Sequence, residues 1–285
     1  MTNIADIRYE PYSEQDYSAV RELFSCDVDT GDNILRVLAE EPELFITAFI
    51  EDKLVALAQV NKPVVQSYLT VFVAPEFRRQ GIGSAIVKYA ENKLRAGGTQ
   101  KVRSSFRSGS DHSSSVAFAR KLGYDTYFSS AYMQRTGDPF SLNELPVRPY
   151  VDGDYIASQS LYAKAFHEMR VRVGSFPDSV IAEPSEEERS VWEKDANDRF
   201  VYIMNGEIVA YSHISGNEIS SISVRTDLQG LGIGRKFVMY LCNEIYRRGN
   251  ADVTLWCVVG NDARNLYDSL GFKEKHTMEF VRKTL

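Results

Sequence analysis

The chain has 285 residues, 44% of them apolar and 25% charged, with a formal net charge of −6. That length points to about two domains, each long enough to bury its own core, in an ordinary globular composition. The acidic balance argues against broad nucleic-acid binding, which needs basic surface, and no apolar run approaches the length that spans a bilayer.

The N-terminus, Met1 to Glu10, carries charge and lacks an apolar core segment, so no signal peptide is expected. The three cysteines, Cys26, Cys242 and Cys257, have no spacing typical of a disulfide or metal framework. A cytoplasmic, reducing location and no bound metal are the expectation.

A short strand signal at Ile7–Tyr9 precedes Pro11-Tyr12 and an apolar stripe at helical spacing, Tyr17, Val20, Leu23 and Phe24. Strand runs Leu44–Ile50 and Leu54–Val60 follow. A third, Tyr68–Val73, leads into Val73-Ala-Pro-Glu-Phe-Arg78-Arg79-Gln80-Gly81-Ile82-Gly83. A helix is expected from about Gly83 to Arg95, ended by Gly97-Gly98. Next come a strand at Lys101–Phe106, a serine-rich stretch from Ser104 to Ser115 that reads as a loop, and a short helix ending in Leu122-Gly123-Tyr124. A closing strand pair and a linker near Thr136-Gly137-Asp138-Pro139-Phe140 complete this half.

The second half repeats the order. Pro149-Tyr150 and Asp154-Tyr155 parallel Pro11-Tyr12 and Asp16-Tyr17. Strands Arg199–Met204 and Ile208–Ile214 flank Asn205-Gly206, a strong hairpin signal. The run Glu218–Val224 leads into Val224-Arg-Thr-Asp-Leu-Gln229-Gly230-Leu231-Gly232-Ile233-Gly234, then a helix to about Arg248, a strand at Asp252–Val259, a short helix to Leu270-Gly271-Phe272 and a second closing pair. One insertion, His167 to Asn197, is acid-rich, and Ser185 with Glu188 is a capping-box signature. It reads as a solvated acidic helix or as a lid favouring a cationic substrate. The repeat predicts two domains, 1–141 and 142–285, each of mixed α/β type.

The duplicated loop points bare backbone N–H groups at an anion, and the helix N-terminus adds partial positive charge. Other glycine motifs fail. Ile86 and Phe237 stand where a dinucleotide fingerprint has its third glycine, and no Gly-Lys-Ser/Thr follows.

Arg78-Arg-Gln-Gly81-Ile-Gly83 and Gln229-Gly-Leu-Gly232-Ile-Gly234, with Asn261, Ala263, Leu266, Tyr267, Leu270, Gly271 and Phe272, resemble the signature of the GNAT superfamily of acyl-CoA-dependent N-acetyltransferases. The resemblance covers nearly the whole chain, twice in tandem. It implies two GNAT-like domains, each a mixed, mostly antiparallel sheet flanked by helices. It implies acetyl-CoA as co-substrate, with the loop amides of residues 78–83 and 229–234 holding its pyrophosphate. Val73 would open the first site, and Arg78 and Arg79 suit phosphate. In the second, Ile222 and Val224 would pair with pantetheine, the Val224 amide would bind the thioester oxygen, and Asn261 would touch the coenzyme.

Family members commonly protonate the departing sulfur with a tyrosine on the second motif's helix. Copy 2 has Tyr267 there; aligning Gly271 with Gly123 puts Ala119 in copy 1. The histone-type branch uses a glutamate six residues before the valine as base, which is Glu218 in copy 2 and Ser67 in copy 1. Both groups point to copy 2 as the catalytic half, with copy 1 degenerate. On the residues alone Tyr267 fits a core stripe, Glu218 a turn and Asn261 a helix cap, while His213, on a strand beside the expected cleft, is a weaker base candidate or a satisfied half-buried histidine. The implied acceptor is a primary amine of a small molecule or peptide, attacked directly in a ternary complex by a monomer that acts as an internal pseudo-dimer. The competing reading is a non-catalytic acyl-CoA-binding sensor.

Overall fold

The computed structural model describes residues 6–25, 28–61, 66–108, 113–176 and 178–285, so Cys26 lies outside the described residues. Contacts divide the chain into two compact units rather than at one cut between residues 141 and 142. Unit 1 comprises Met1–Phe106, Ser110–Thr126 and Phe280–Leu285, and unit 2 comprises Arg107–Gly109 and Tyr127–Glu279.

Unit 1 is built on β1 (Ile7–Pro11), α1 (Tyr17–Leu23), α2 (Val28–Glu40), β2 (Phe45–Ile50), β3 (Lys53–Val60), β4 (Gln66–Val73), α3 (Ile82–Ala96), β5 (Lys101–Ser108) and α4 (Ser113–Lys121). After β6 (Asp125–Thr136), unit 2 adds β7 (Val147–Pro149), α5 (Tyr155–Val173), α6 (Glu186–Lys194), β8 (Arg199–Met204), β9 (Glu207–Ser215), β10 (Glu218–Val224), α7 (Ile233–Arg247), β11 (Asp252–Val258) and α8 (Ala263–Ser269), and the last strand, β12 (Lys273–Thr284), belongs to unit 2 up to Glu279 and to unit 1 from Phe280. Strand order in unit 1 is β1-β2-β3-β4-β5-β12, and in unit 2 β7-β8-β9-β10-β11-β6. The β4–β5 and β10–β11 pairs are parallel, and the β1–β2, β2–β3, β3–β4, β7–β8, β8–β9, β9–β10 and β6–β11 pairs are antiparallel. Among the described residues no helix is long and apolar enough to cross a membrane.

Local chemistry explains most elements. Asn205 and Gly206 both take positive φ, 52° and 80°, the turn that matches strand twist between β8 and β9. Helices α3 and α7 bury Ile82, Ile86, Leu94 and Ile233, Phe237, Leu241 against their sheets. The serine-rich stretch is not a loop throughout. β5 runs on to Ser108 and α4 starts at Ser113, because short hydroxyl side chains are tolerated in a paired strand and favoured where a helix begins. Its remaining residues, 109–112, lie outside the described residues.

The closing strand pairs do not form. Each half has one long strand instead, and the two strands change places. β6 pairs with β11 over seven consecutive positions, Thr136↔Asp252 to Ser130↔Val258, and puts Ala131 and Met133 into the core of unit 2. The chain terminus completes unit 1: Val281 is buried there, the Leu285 N–H donates to the Gln100 carbonyl at 3.0 Å, and Lys283 Nζ meets the buried Glu91 at 2.8 and 2.9 Å. The expected linker is fixed as well. Phe140 exchanges two hydrogen bonds with the Asn243 amide, at 2.7 and 2.9 Å, and stacks 4.0 Å from the Arg135 guanidinium.

The acidic insertion is anchored on its own unit. Ser185 Oγ accepts the Glu188 N–H, as a cap should, but the Glu188 carboxylate takes the Tyr155 hydroxyl at 2.8 Å instead of closing the capping box. Trp192 of α6 is buried and stacks on Tyr211 at 4.6 Å. The segment is therefore a docked helix whose remaining glutamates, Glu186, Glu187 and Glu193, face solvent.

Candidate active site

The glycine loop is the same object in both units. Gly81 and Gly232 cap α3 and α7 at φ 89° and 81°, a conformation in which a side chain would be strained. The residue two places earlier also has positive φ, Arg79 at 64° in unit 1 and Gly230 at 80° in unit 2. These left-handed turns aim successive N–H groups outward, and the first turn of the helix leaves its own N–H groups without intrahelical partners. A Cβ added at Gly230 or Gly232 would meet nothing within 4 Å, so the space above the unit 2 loop is open. Ile82 and Ile233 are buried beneath the loops, and Leu231 is exposed.

The side chains at the head of each loop turn back onto it. Arg78 Nε donates to the Val73 carbonyl at 2.9 Å and its guanidinium lies 5.2 Å from the Phe72 ring, so this side chain braces the loop. Gln229 does the same in unit 2, donating to the Val224 carbonyl at 3.2 Å. Gln80 Nε2 likewise turns back to the Glu76 carbonyl.

Both units open a gap beside the loop. β4 pairs with β5 only from Gln66 to Tyr68, and β10 with β11 only at Glu218 and Ile219, although all four strands continue. The Arg225 N–H donates to the Val209 carbonyl at 2.9 Å. By antiparallel alternation the Val224 N–H and carbonyl then point away from β9, into the gap. Gly234 sits close beneath, where a Cβ would lie 3.5 Å from Val224 Cγ2.

Unit 2 alone adds a bulge. The register of β10 against β9 shifts between Ser220 and Ser223, leaving Ser221, at φ 55°, and Ile222 without ladder partners. β4 pairs with β3 continuously from Leu69 to Val73. The bulge displaces the sequence alignment by one position. Counting back from Val224↔Ala210 and Val73↔Ala56, Ile219 matches Leu69, so Glu218 matches Tyr68 and not Ser67. The carboxylate is still missing from unit 1. Ala119 does stand where unit 2 has Tyr267: the Tyr124 N–H bonds to the Ala119 carbonyl as the Phe272 N–H bonds to that of Tyr267, at 3.0 and 3.1 Å.

Tyr267 is buried in the core cluster that Ile222 and Val224 adjoin, and burial pushes its phenol well above the ordinary value. Its hydroxyl bonds to no other described residue, and its ring meets Phe272 edge-on at 6.0 Å. Glu218 is half-buried, and loss of water raises its carboxyl, an effect that the neighbouring Trp256 side chain opposes. Asn261 Oδ1 accepts the Ala263 N–H, the first of α8, at 3.1 Å, while Asp262 holds the N-cap position itself.

Two arrangements escape a sequence reading, the partners of His213 and the aromatic group around Tyr132, and a third leaves a single trace. His213 Nδ1 lies 3.2 Å from Ser220 Oγ and its Nε2 3.2 Å from Asp195 Oδ2, and Asp195 is gripped by Arg199 at 2.6 and 2.8 Å. Burial first, and Arg199 second, hold this imidazole below its ordinary value. Tyr132, from β6, packs at a tilt against Trp256, with ring centroids 4.9 Å apart, and against His276 at 5.0 Å. The bulge itself leaves one trace, since Ile219 and Ile222 stand three apart where Leu69, Val71 and Val73 keep a spacing of two.

Residues 2–124 match the family model described as acetyltransferase (GNAT) family, and residues 205–281 match that of FR47-like protein. The fold is similar to a solved GCN5-related N-acetyltransferase from Sphaerobacter thermophilus, with TM-score 0.71, 22% identity and coverage of 98% of this chain and 96% of that one. It is also similar to a tandem GNAT protein from the clavulanic acid biosynthesis pathway, with TM-score 0.66, 14% identity and 98% coverage of both chains. A putative acetyltransferase from Pyrococcus horikoshii matches with TM-score 0.57, 13% identity and coverage of 98% and 90%. No curated protein sequence matches the chain.

Proposed function

The chain is a tandem two-domain member of the GNAT superfamily, and we propose that its second domain is an N-acetyltransferase carrying an acetyl group from acetyl-CoA to a primary amine of a small molecule or peptide. The observation that carries this reading is the bulged gap between β10 and β11, with the Val224 N–H turned into it and the open loop of Gly230 and Gly232 at its end. The amides of residues 230–234 would hold the pyrophosphate, and the backbone of Ile222 and Val224 the pantetheine arm. Acetyl-CoA supplies the activated acetyl group.

The protein's own task is proton management and charge stabilisation. Deprotonating a free amine of pKa near 10 at neutral pH costs about 4 kcal/mol, so a base is needed. Glu218 is the carboxylate beside the gap, and its raised pKa makes it a better match to an amine than an ordinary glutamate. The Val224 N–H would donate to the thioester oxygen, an interaction whose loss typically costs ~10²–10³ in rate. Tyr267 keeps its proton at neutral pH and would give it to the departing sulfur. The burial that weakens this phenol as an acid also disfavours a bare thiolate beside it, which narrows the mismatch.

For the first domain, the shared loop and the lack of a bulge, a tyrosine at Ala119 and a carboxylate at Tyr68 favour coenzyme binding or scaffolding without turnover. Calorimetric titration with acetyl-CoA tests the whole reading through its stoichiometry. One site supports a catalytic second domain on a structural partner, two sites give the first domain a separate role, and no binding sinks the proposal.

A further inference from the structure

Unit 2 contains a cavity of ≈390 Å³ at the far end of β11, within the size range of small-molecule sites. Its walls include Ser129 of β6, Cys257 of β11, Arg264 of α8, and Glu274, Thr277 and Glu279 of β12. The backbone keeps it open. The Val259 N–H donates to the Ser129 carbonyl at 2.9 Å, and the chain then turns through Gly260 at φ 90° before α8 begins.

The charges on these walls do not balance. Arg264 is occupied, with Nε on both Asp268 oxygens at 3.1 and 3.0 Å and an NH1 contact to Glu274 at 2.8 Å. Glu274 also accepts the Thr277 hydroxyl at 2.7 Å. Glu279 accepts only the Ser129 hydroxyl, at 2.8 Å, and among the described residues no lysine or arginine pairs with it. A half-buried carboxylate without a cation is costly to keep, and a cationic ligand removes that cost.

We propose that this cavity seats the cationic group of the acceptor, an ammonium or guanidinium on an aliphatic amine with a second basic centre, with Glu279 as its counter-ion. Cys257 lies beyond Leu255, the last β11 residue paired with β10, so the cavity and the gap share the end of β11 as a common wall. A substrate with two basic centres can fill the cavity with one and present the other to the gap. Ser129 and Thr277, already bonded to the two glutamates, hold both carboxylates toward the cavity. Only the word acceptor rests on the acetyltransferase reading; the cation site stands on its own.

The test is calorimetric titration of the full-length protein with 1,4-diaminobutane at low ionic strength, without acetyl-CoA. Saturable one-site binding is expected, weakened at least tenfold in Glu279→Gln and unchanged in Glu187→Gln, an exposed glutamate of α6. Glu279→Asp, which keeps the charge on a shorter arm, should bind between the two. Unchanged binding in a folded Glu279→Gln, or no binding by the native protein, overturns the proposal. Because acetyl-CoA is absent, failure of the coenzyme titration leaves this result intact, and the reverse also holds.

Discussion

Strands β4 and β10 hold the same place in their units and differ by one residue. β4 runs unbroken to Val73, while β10 carries Ser221 as an extra residue and turns the same loop, the same gap and the same valine into a different neighbourhood. The left-handed loop and the helix start behind it are duplicated. What could move a proton, Glu218 and Tyr267, is present once. A duplicated scaffold can thus keep its glycine loop and helix start while its two copies diverge in one bulged residue and a few side chains, because the loop backbone is held by features that none of those residues supports.

The comparison breaks most directly at the loops. Gly232→Val puts a branched side chain at φ 81° and into the open space above the loop, so acetyl-CoA affinity should fall at least about 10²-fold by calorimetry. Gly81→Val should leave that high-affinity site intact, and equal losses in both variants would reverse the assignment of the halves. Removing a charge that unit 1 needs comes next. Lys283→Ala leaves the buried Glu91 carboxylate without its cation and should cost about 3 kcal/mol in equilibrium unfolding, in the transition of unit 1 only.

Tyr267→Phe should lower kcat about 10²-fold and leave acetyl-CoA binding unchanged; a kcat within twofold of native would reduce Tyr267 to core filling. Glu218 gives a pH signature. Its carboxyl titrates above the ordinary value, so kcat/KM should rise with pH through a limb above about 4.5 that Glu218→Gln abolishes. The sign for stability is opposite: the burial favours the neutral acid, its contribution is complete below the unfolded pKa and is lost as pH rises through the folded one. Glu218→Gln should therefore be slower and, at neutral pH, more stable. The smallest effect belongs to the bulge. Ser221→Gly relieves a left-handed residue and should add roughly 1 kcal/mol in thermal unfolding, provided the bulge is kept.

The repeat, the hairpins and the glycine loops were legible because each is written in a few adjacent residues. The exchange of β6 and β12 was not. The alternation along Tyr127–Thr136 says which face of a strand is buried but not which sheet receives it, and Met133 would suit either core. Tyr132 was missed for that reason, and with it the aromatic group that it joins. His213 drew attention as a half-buried strand histidine, but its partner Asp195 sits in an acidic stretch where no pattern singles it out. The loop-bracing contact of Arg78 was not legible because its charge draws attention to a ligand, whereas Gln229 at the matching position makes the same backbone contact without charge.

The placement of Phe280–Leu285 in unit 1 also sets the order in which the protein can be made. Residues 127–279 leave the ribosome between the body of unit 1 and the strand that closes it, an interval of roughly 10–30 s at ordinary elongation rates. Throughout that interval β5 is an uncovered sheet edge and Glu91 a buried charge awaiting Lys283. The first half to be translated is therefore the last to mature, because residues 280–285 supply the strand that closes it.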